Sequence, residues 1–123
     1  MGLPVADSAY KNLHASNVQE ILNVVDITAS GAGLIVSTGT KGRYTGTPKC
    51  RFLLNVTGFA GTSMLVEVKT TINGVDVLVG AFTSVTGVVQ ESIEIDNCPI
   101  NVKIVYTAVA VTDFDATVHS VRF

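Results

Sequence analysis

The chain contains no tryptophan, and its aromatic content is three tyrosines and five phenylalanines in 123 residues. That is too thin for the stacking platforms on which proteins hold single-stranded nucleic acid. Charge is scarce too: 15% of residues are charged, against about 25% in an ordinary soluble domain. Eight basic and ten acidic residues leave a net charge of −2 and form no run, which excludes the basic footprint of a nucleic-acid binder. No apolar run approaches the ~20 residues that span a bilayer as a helix. The first twenty residues, MGLPVADSAYKNLHASNVQE, lack a basic start and an apolar h-region, so the expectation is a protein made in a cytoplasm. Cys50 and Cys98 are the only cysteines. Free thiols are expected in that compartment; each cysteine stands just before an expected strand, and the sequence leaves open whether the two meet.

What is present is β-pattern. Apolar residues make up 47% of the chain, enough for one core at single-domain length. In SMLVEVKTTI, Met64, Val66, Val68, Thr70 and Ile72 share one strand face, and Leu65, Glu67, Lys69 and Thr71 share the other. That alternation predicts an antiparallel strand with one wet side. Asn73-Gly74 follows, the pair that best accepts the positive φ angles of a type I′ turn, and DVLVGAFTSV returns as its partner.

Further strands are expected at 51–58 (Phe52, Leu54 and Val56 inward), 91–95 (Ile93, Ile95), 101–111 (Val102, Ile104, Tyr106, Ala108) and from Phe114 to the end (Phe114, Ala116, Val118). VQEILNVVDIT reads as a strand from Leu22 onward, and one short strand is expected around Leu34 to Ser37. Short strands punctuated by Gly, Asn, Asp and Pro favour an all-β antiparallel sandwich or barrel. Residues 1–17 read as an extended N-terminal arm and 18–123 as a single β-sandwich domain. The Gly/Thr-rich segment 30–49 is long for a structureless loop, and such loops usually bind something.

No constellation for catalysis emerges, so no enzyme, cofactor or metal site is expected. His119 shares a strand face with Asp115 and Thr117, yet no third ligand or activated nucleophile accompanies it. Asp113 and Asp115 form a D-x-D without the further oxygen ligands and glycine of a calcium loop, and read as a polar turn into the last strand. Glu94 and Asp96 share a face beside Glu91 and read as solvent-facing strand residues. GTKGRYTG has glycines at 39, 42 and 46 but not the order of a phosphate-binding loop. Lys41, Arg43 and Tyr44 within it, with Tyr10 and Lys11 in the arm, are the candidate partner-contact residues.

From Val56 to the C-terminus the order of features resembles a small family of tailed-bacteriophage virion proteins, the head decoration or minor structural proteins. The matching positions are Gly61-Thr62-Ser63, Asn73-Gly74, then Phe82, Thr83, Val85 and Thr86, and Pro99 leading into Val102 to Thr107. Lys103 stands where the family often has Arg, and the turn after Thr107 lacks the usual Gly-Thr. The resemblance implies a jelly-roll-like sandwich on the exterior of a capsid. It also implies the major capsid protein as partner, a trimeric or dimeric homo-oligomer, a virion location and no nucleic-acid or membrane contact. The alternative is a glycan-binding module of a fibre or tail, for which Tyr44, Tyr10 and Phe59 are the best aromatic candidates.

Overall fold

A computed structural model describes residues 18–38 and 49–122. All elements are strands: β1 (Val18–Val24), β2 (Gly31–Ala32), β3 (Val36–Ser37), β4 (Lys49–Ile72), β5 (Val75–Ala81), β6 (Val89–Asp96) and β7 (Asn101–Arg122). They form one antiparallel seven-stranded sheet of order β1-β7-β4-β5, with β2 and β3 also paired to β7 and β6 to β4. The all-β antiparallel expectation therefore holds. The Asn73-Gly74 turn has φ of 52° and 78°, the sign that a type I′ turn demands.

One expectation needs correcting. The strands read separately at 51–58 and 63–72 are a single 24-residue strand, and those at 101–111 and from Phe114 onward are a single 22-residue strand. The Gly- and Thr-rich stretch between Val56 and Met64 resembles a turn in sequence, but its partner strand runs alongside it throughout. The register steps between Val56 and Gly58 and between Ala60 and Gly61 leave Thr57 and Thr112 as the extra residues of two bulges. Each extra threonine hydroxyl donates to a carbonyl of the opposite strand, Thr57 Oγ1 to Asp115 O (3.4 Å) and Thr112 Oγ1 to Ala60 O (3.3 Å). Bulges bend and over-twist a strand, and here they fold the sheet over.

The folding can be read from ring distances. A straight strand rises ~3.3 Å per residue, which would put positions 106 and 114 about 26 Å apart. The Tyr106 and Phe114 ring centroids are 6.3 Å apart. Arg122, at the end of β7, donates to Pro99 O, just before its start, at 2.9 Å. The two halves of β7 thus face each other, and β4 bends with it. At the crease Ala110 has φ 51° and Gly61 φ 138°. A Cβ on Gly61 would lie 2.5 Å from Ala110 O.

Inside the fold lies one core. Phe52, Leu54, Val56, Met64, Val66, Val68, Val102, Ile104, Phe114 and Val118 are each at most 2% exposed. Burying each such side chain contributes about 1.5–3 kcal/mol. The inward faces read from the alternation are the buried ones, except Ile93, Ile95 and Ala108, which are half-buried against the core, and Ile72, which sits 54% exposed beside the hairpin turn. What encloses the core is one folded sheet, and its pairing does not display a jelly-roll strand order. The proposed arm and the loop residues 39–48 lie outside the described residues.

Candidate functional site

Two polar clusters stand out among the described residues, one at each end of the folded sheet. The first lies beside the crease. Asp113 and Asp115 sit two positions apart on β7, inside the strand and not in the expected polar turn. Asp26, in the bend after β1 with φ 56°, joins them: its backbone N–H donates to Asp115 Oδ1 at 2.7 Å. One oxygen of each of the three carboxylates lies within 4.8 Å of the others. Gly58 leaves the space they occupy, since a Cβ there would stand 2.5 Å from Asp115 Oδ2 and 3.3 Å from Asp113 Oδ2.

Desolvation, then the charges of Asp115 and Asp26, push the Asp113 carboxyl above the usual carboxylate range. Its Oδ1 is shut off from solvent without a hydrogen-bond partner. Carboxylate oxygens are the hard donors that a Ca²⁺- or Mg²⁺-like ion takes, about six or more in all; Asp26, Asp113 and Asp115 are the described residues able to supply part of such a set. The cluster is made of carboxylates alone, and among the described residues no histidine or thiol joins it.

The second cluster is buried. Arg122 is 1% exposed. Its Nε and Nη2 donate to Thr38 Oγ1 at 3.0 and 2.7 Å, and Nη2 also donates to Cys98 O (3.0 Å) and Pro99 O (2.9 Å). Thr38 in turn donates to Ile100 O at 2.9 Å. Cys50 and Cys98, both free thiols and both buried, meet here. The Cys50 thiol is hydrogen-bonded to Cys98 and, with burial adding to that bond, is held strongly protonated. The same bond, followed by the Arg122 charge, pulls the Cys98 thiol below its ordinary value.

The remaining candidates do not assemble. His119 approaches Glu20 of β1 at 3.7 Å, whereas Asp115 bonds to Asp26, so the shared strand face does not make them a functional pair. Glu94 and Asp96 meet Lys49 at 3.6 and 3.7 Å, and Glu94 meets Arg51 at 2.8 Å, all on the solvent side. The Arg51 bond holds Glu94 below the usual carboxylate range, as Lys103 does for Asp76. Glu91 accepts from the Thr83 backbone N–H at 2.9 Å. Lys41, Arg43, Tyr44, Tyr10 and Lys11 lie outside the described residues.

Sequence reasoning missed Asp26 and Arg122. Asp26 is 89 positions from Asp115, and no local pattern links them. Arg122 did leave a signal: it occupies the inward position of the Val118, Ser120, Arg122 alternation, where a cation requires buried partners.

The surface is the last feature. Val75, Val77 and Leu78 of β5 are 63, 41 and 55% exposed, on a strand that among the described residues pairs only with β4. Leu34, Ile35, Ile100, Val88 and Val109 are also exposed. Among the described residues no helix is long and apolar enough to cross a membrane.

An all-β antiparallel protein with exposed apolar residues can then be compared with known proteins. No protein-family model matches the chain, and no curated protein is similar to it. Its fold is similar to that of the PBSX exported protein XepA, with a TM-score of 0.59 at 9% identity, over 85% of this chain and 36% of XepA. The chain thus spans about a third of XepA's length. The SPBc2 prophage-derived protein YomS matches with a TM-score of 0.49 at 13% identity, over 86% of this chain and 95% of YomS. At these identities the likeness is one of fold alone.

Proposed function

We propose that the protein is a non-enzymatic structural component of a phage virion that decorates and stabilises the capsid exterior. The observation that carries this reading is the open apolar edge. β5 offers Val75, Val77 and Leu78 to solvent along a strand that, among the described residues, pairs with β4 alone. Such an edge is a liability that proteins ordinarily blunt with charge, and large exposed apolar surface marks interaction sites. In this reading the edge packs against a neighbouring copy or the major capsid protein in a closed, symmetric assembly. Lys41, Arg43, Tyr44, Tyr10 and Lys11 supply further contacts. The fold shared with XepA supports a phage setting.

The glycan-binding alternative has little to favour it. Phe59, one of its three aromatic candidates, packs edge-on against Phe114 at 6.3 Å and faces the core. The likeness to an exported phage protein favours a different second reading, a phage protein that acts outside the particle.

The test is co-sedimentation of the purified protein with capsids that lack it, across a salt series. Saturable binding at a fixed ratio to capsid subunits, persisting at high salt as an apolar interface requires, is the expected result. Absence of binding by folded protein, with release of the protein into the medium during lysis, would replace the decoration reading with the extracellular one.

A further inference from the structure

Cys50 and Cys98 come from different parts of the chain and are brought together by the fold. Cys50, near the start of β4, pairs in register with Ile95 of β6 on one side and Arg122 of β7 on the other. After β6 the chain turns at Asn97, whose φ is 54°, and the two Arg122 bonds to Cys98 O and Pro99 O draw that connection over Cys50. Both cysteines are buried, 0 and 3% exposed; Cys50 Sγ reaches Arg51 O at 4.0 Å and Cys98 Sγ donates to Pro99 O at 3.4 Å, and the two thiols lie close enough to interact. Among the described residues no carboxylate balances the buried Arg122 guanidinium, whose nearest partners are a hydroxyl and two carbonyls. An anion beside it is therefore favoured, and a thiolate is the anion that this site can make.

We propose that Cys50 and Cys98 are an oxidation site that closes into an intramolecular disulfide, with Cys98 as the thiol that reacts first and Cys50 as the one that resolves it. The oxidant is a peroxide, small enough to enter on local opening of the sheet end. The Cys98 thiolate attacks a peroxide oxygen and the O–O bond breaks. With hydrogen peroxide and one proton, the products are a sulfenic acid and one water. The Cys50 sulfur then attacks the sulfenic sulfur. The S–O bond breaks, and the Cys50 proton leaves with the hydroxide as a second water. Two thiols lose two electrons and peroxide gains them. The bond staples the start of β4 to the β6–β7 connection and closes a loop from 50 to 98, which restrains the unfolded chain. This inference is independent of the capsid reading.

The experiment treats the purified full chain with hydrogen peroxide and follows thiols, mass and melting together. The expected result is loss of both thiols titratable under denaturing conditions and loss of two hydrogens from the intact monomer mass. The melting midpoint should rise by on the order of 10 °C, and dithiothreitol should reverse it. In Cys50→Ser, Cys98 should be trapped by dimedone as the sulfenic acid, while in Cys98→Ser, Cys50 should not react. Persistence of both thiols, accumulation of sulfinic acid on the wild-type chain, or disulfide-linked dimers in place of the intramolecular bond would overturn the proposal. The wild-type readouts decide the matter even if a serine variant fails to fold.

Discussion

Arg122 donates two hydrogen bonds to the single hydroxyl of Thr38, from Nε at 3.0 Å and from Nη2 at 2.7 Å, in a pocket where both residues are at most 3% exposed. The guanidinium thereby ties the end of β7 to the segment after β3, and through Cys98 and Pro99 to the connection that begins β7. Replacing it by an apolar side chain strands one hydroxyl and two carbonyls without their donor. Arg122→Met should therefore cost about 3 kcal/mol, measured by urea unfolding. A loss within ~0.5 kcal/mol would mean the cluster is solvated and not structural.

The crease makes two predictions of opposite sign. Gly61 has φ 138°, and an added Cβ would sit 2.5 Å from Ala110 O and 2.6 Å from Val111 Cα. Gly61→Ala should destabilise by about 2–4 kcal/mol. Across from it Ala110 holds φ 51°, a left-handed conformation that costs a non-glycine residue about 1–2 kcal/mol. Ala110→Gly should relieve that strain and leave stability unchanged or raised by up to about 1 kcal/mol, after the extra freedom of glycine in the unfolded chain. Equal losses for both substitutions in the same urea series would refute this account of the crease.

How much of this was legible beforehand follows from what period-two alternation can carry. It placed Phe52, Leu54, Val56, Met64, Val66, Val68 and Phe114 on the inward face, because burial of one sheet face is written residue by residue. It did not show that two pairs of strands were continuous. Gly58, Gly61 and Asp113 are turn residues by type, and only cross-strand pairing reveals that bulges absorb them. The meeting of Cys50 with Cys98, and of Asp26 with Asp113 and Asp115, depends on where the sheet creases, which no local pattern encodes.

The carboxylate cluster gives a pH prediction. Asp113 has its carboxyl raised by burial and by the Asp115 and Asp26 charges, above its ordinary 3.8. The folded chain thus takes up this proton at a higher pH than the unfolded one. The resulting stabilisation is complete below 3.8 and is lost as pH rises through the raised folded value. Asp113→Asn, uncharged throughout, should melt higher than the wild type at neutral pH, and the gap should shrink towards pH 3.8. Asp76 and Glu94 are shifted the opposite way by Lys103 and Arg51; common to both proteins, they cancel in the difference. A gap that stays constant, or reverses, over that range rules out repulsion within the cluster.

Ser120 points into the core between its strand neighbours Phe52 and Gln19. It is fully buried, and its hydroxyl has no hydrogen-bond partner. A buried hydroxyl that makes no bond pays its dehydration without return, a penalty of about 1–3 kcal/mol. Alanine removes one oxygen and leaves a void smaller than a methyl group, so the transfer and packing terms lost with it are small. Ser120→Ala should therefore raise stability by about 1 kcal/mol, seen as a higher urea midpoint with an unchanged denaturant slope. A lower midpoint would mean that the hydroxyl is bonded in solution, through a rotamer reaching a strand carbonyl or through a trapped water, and that the inward Ser120 and Arg122 belong to one polar network at that end of β7.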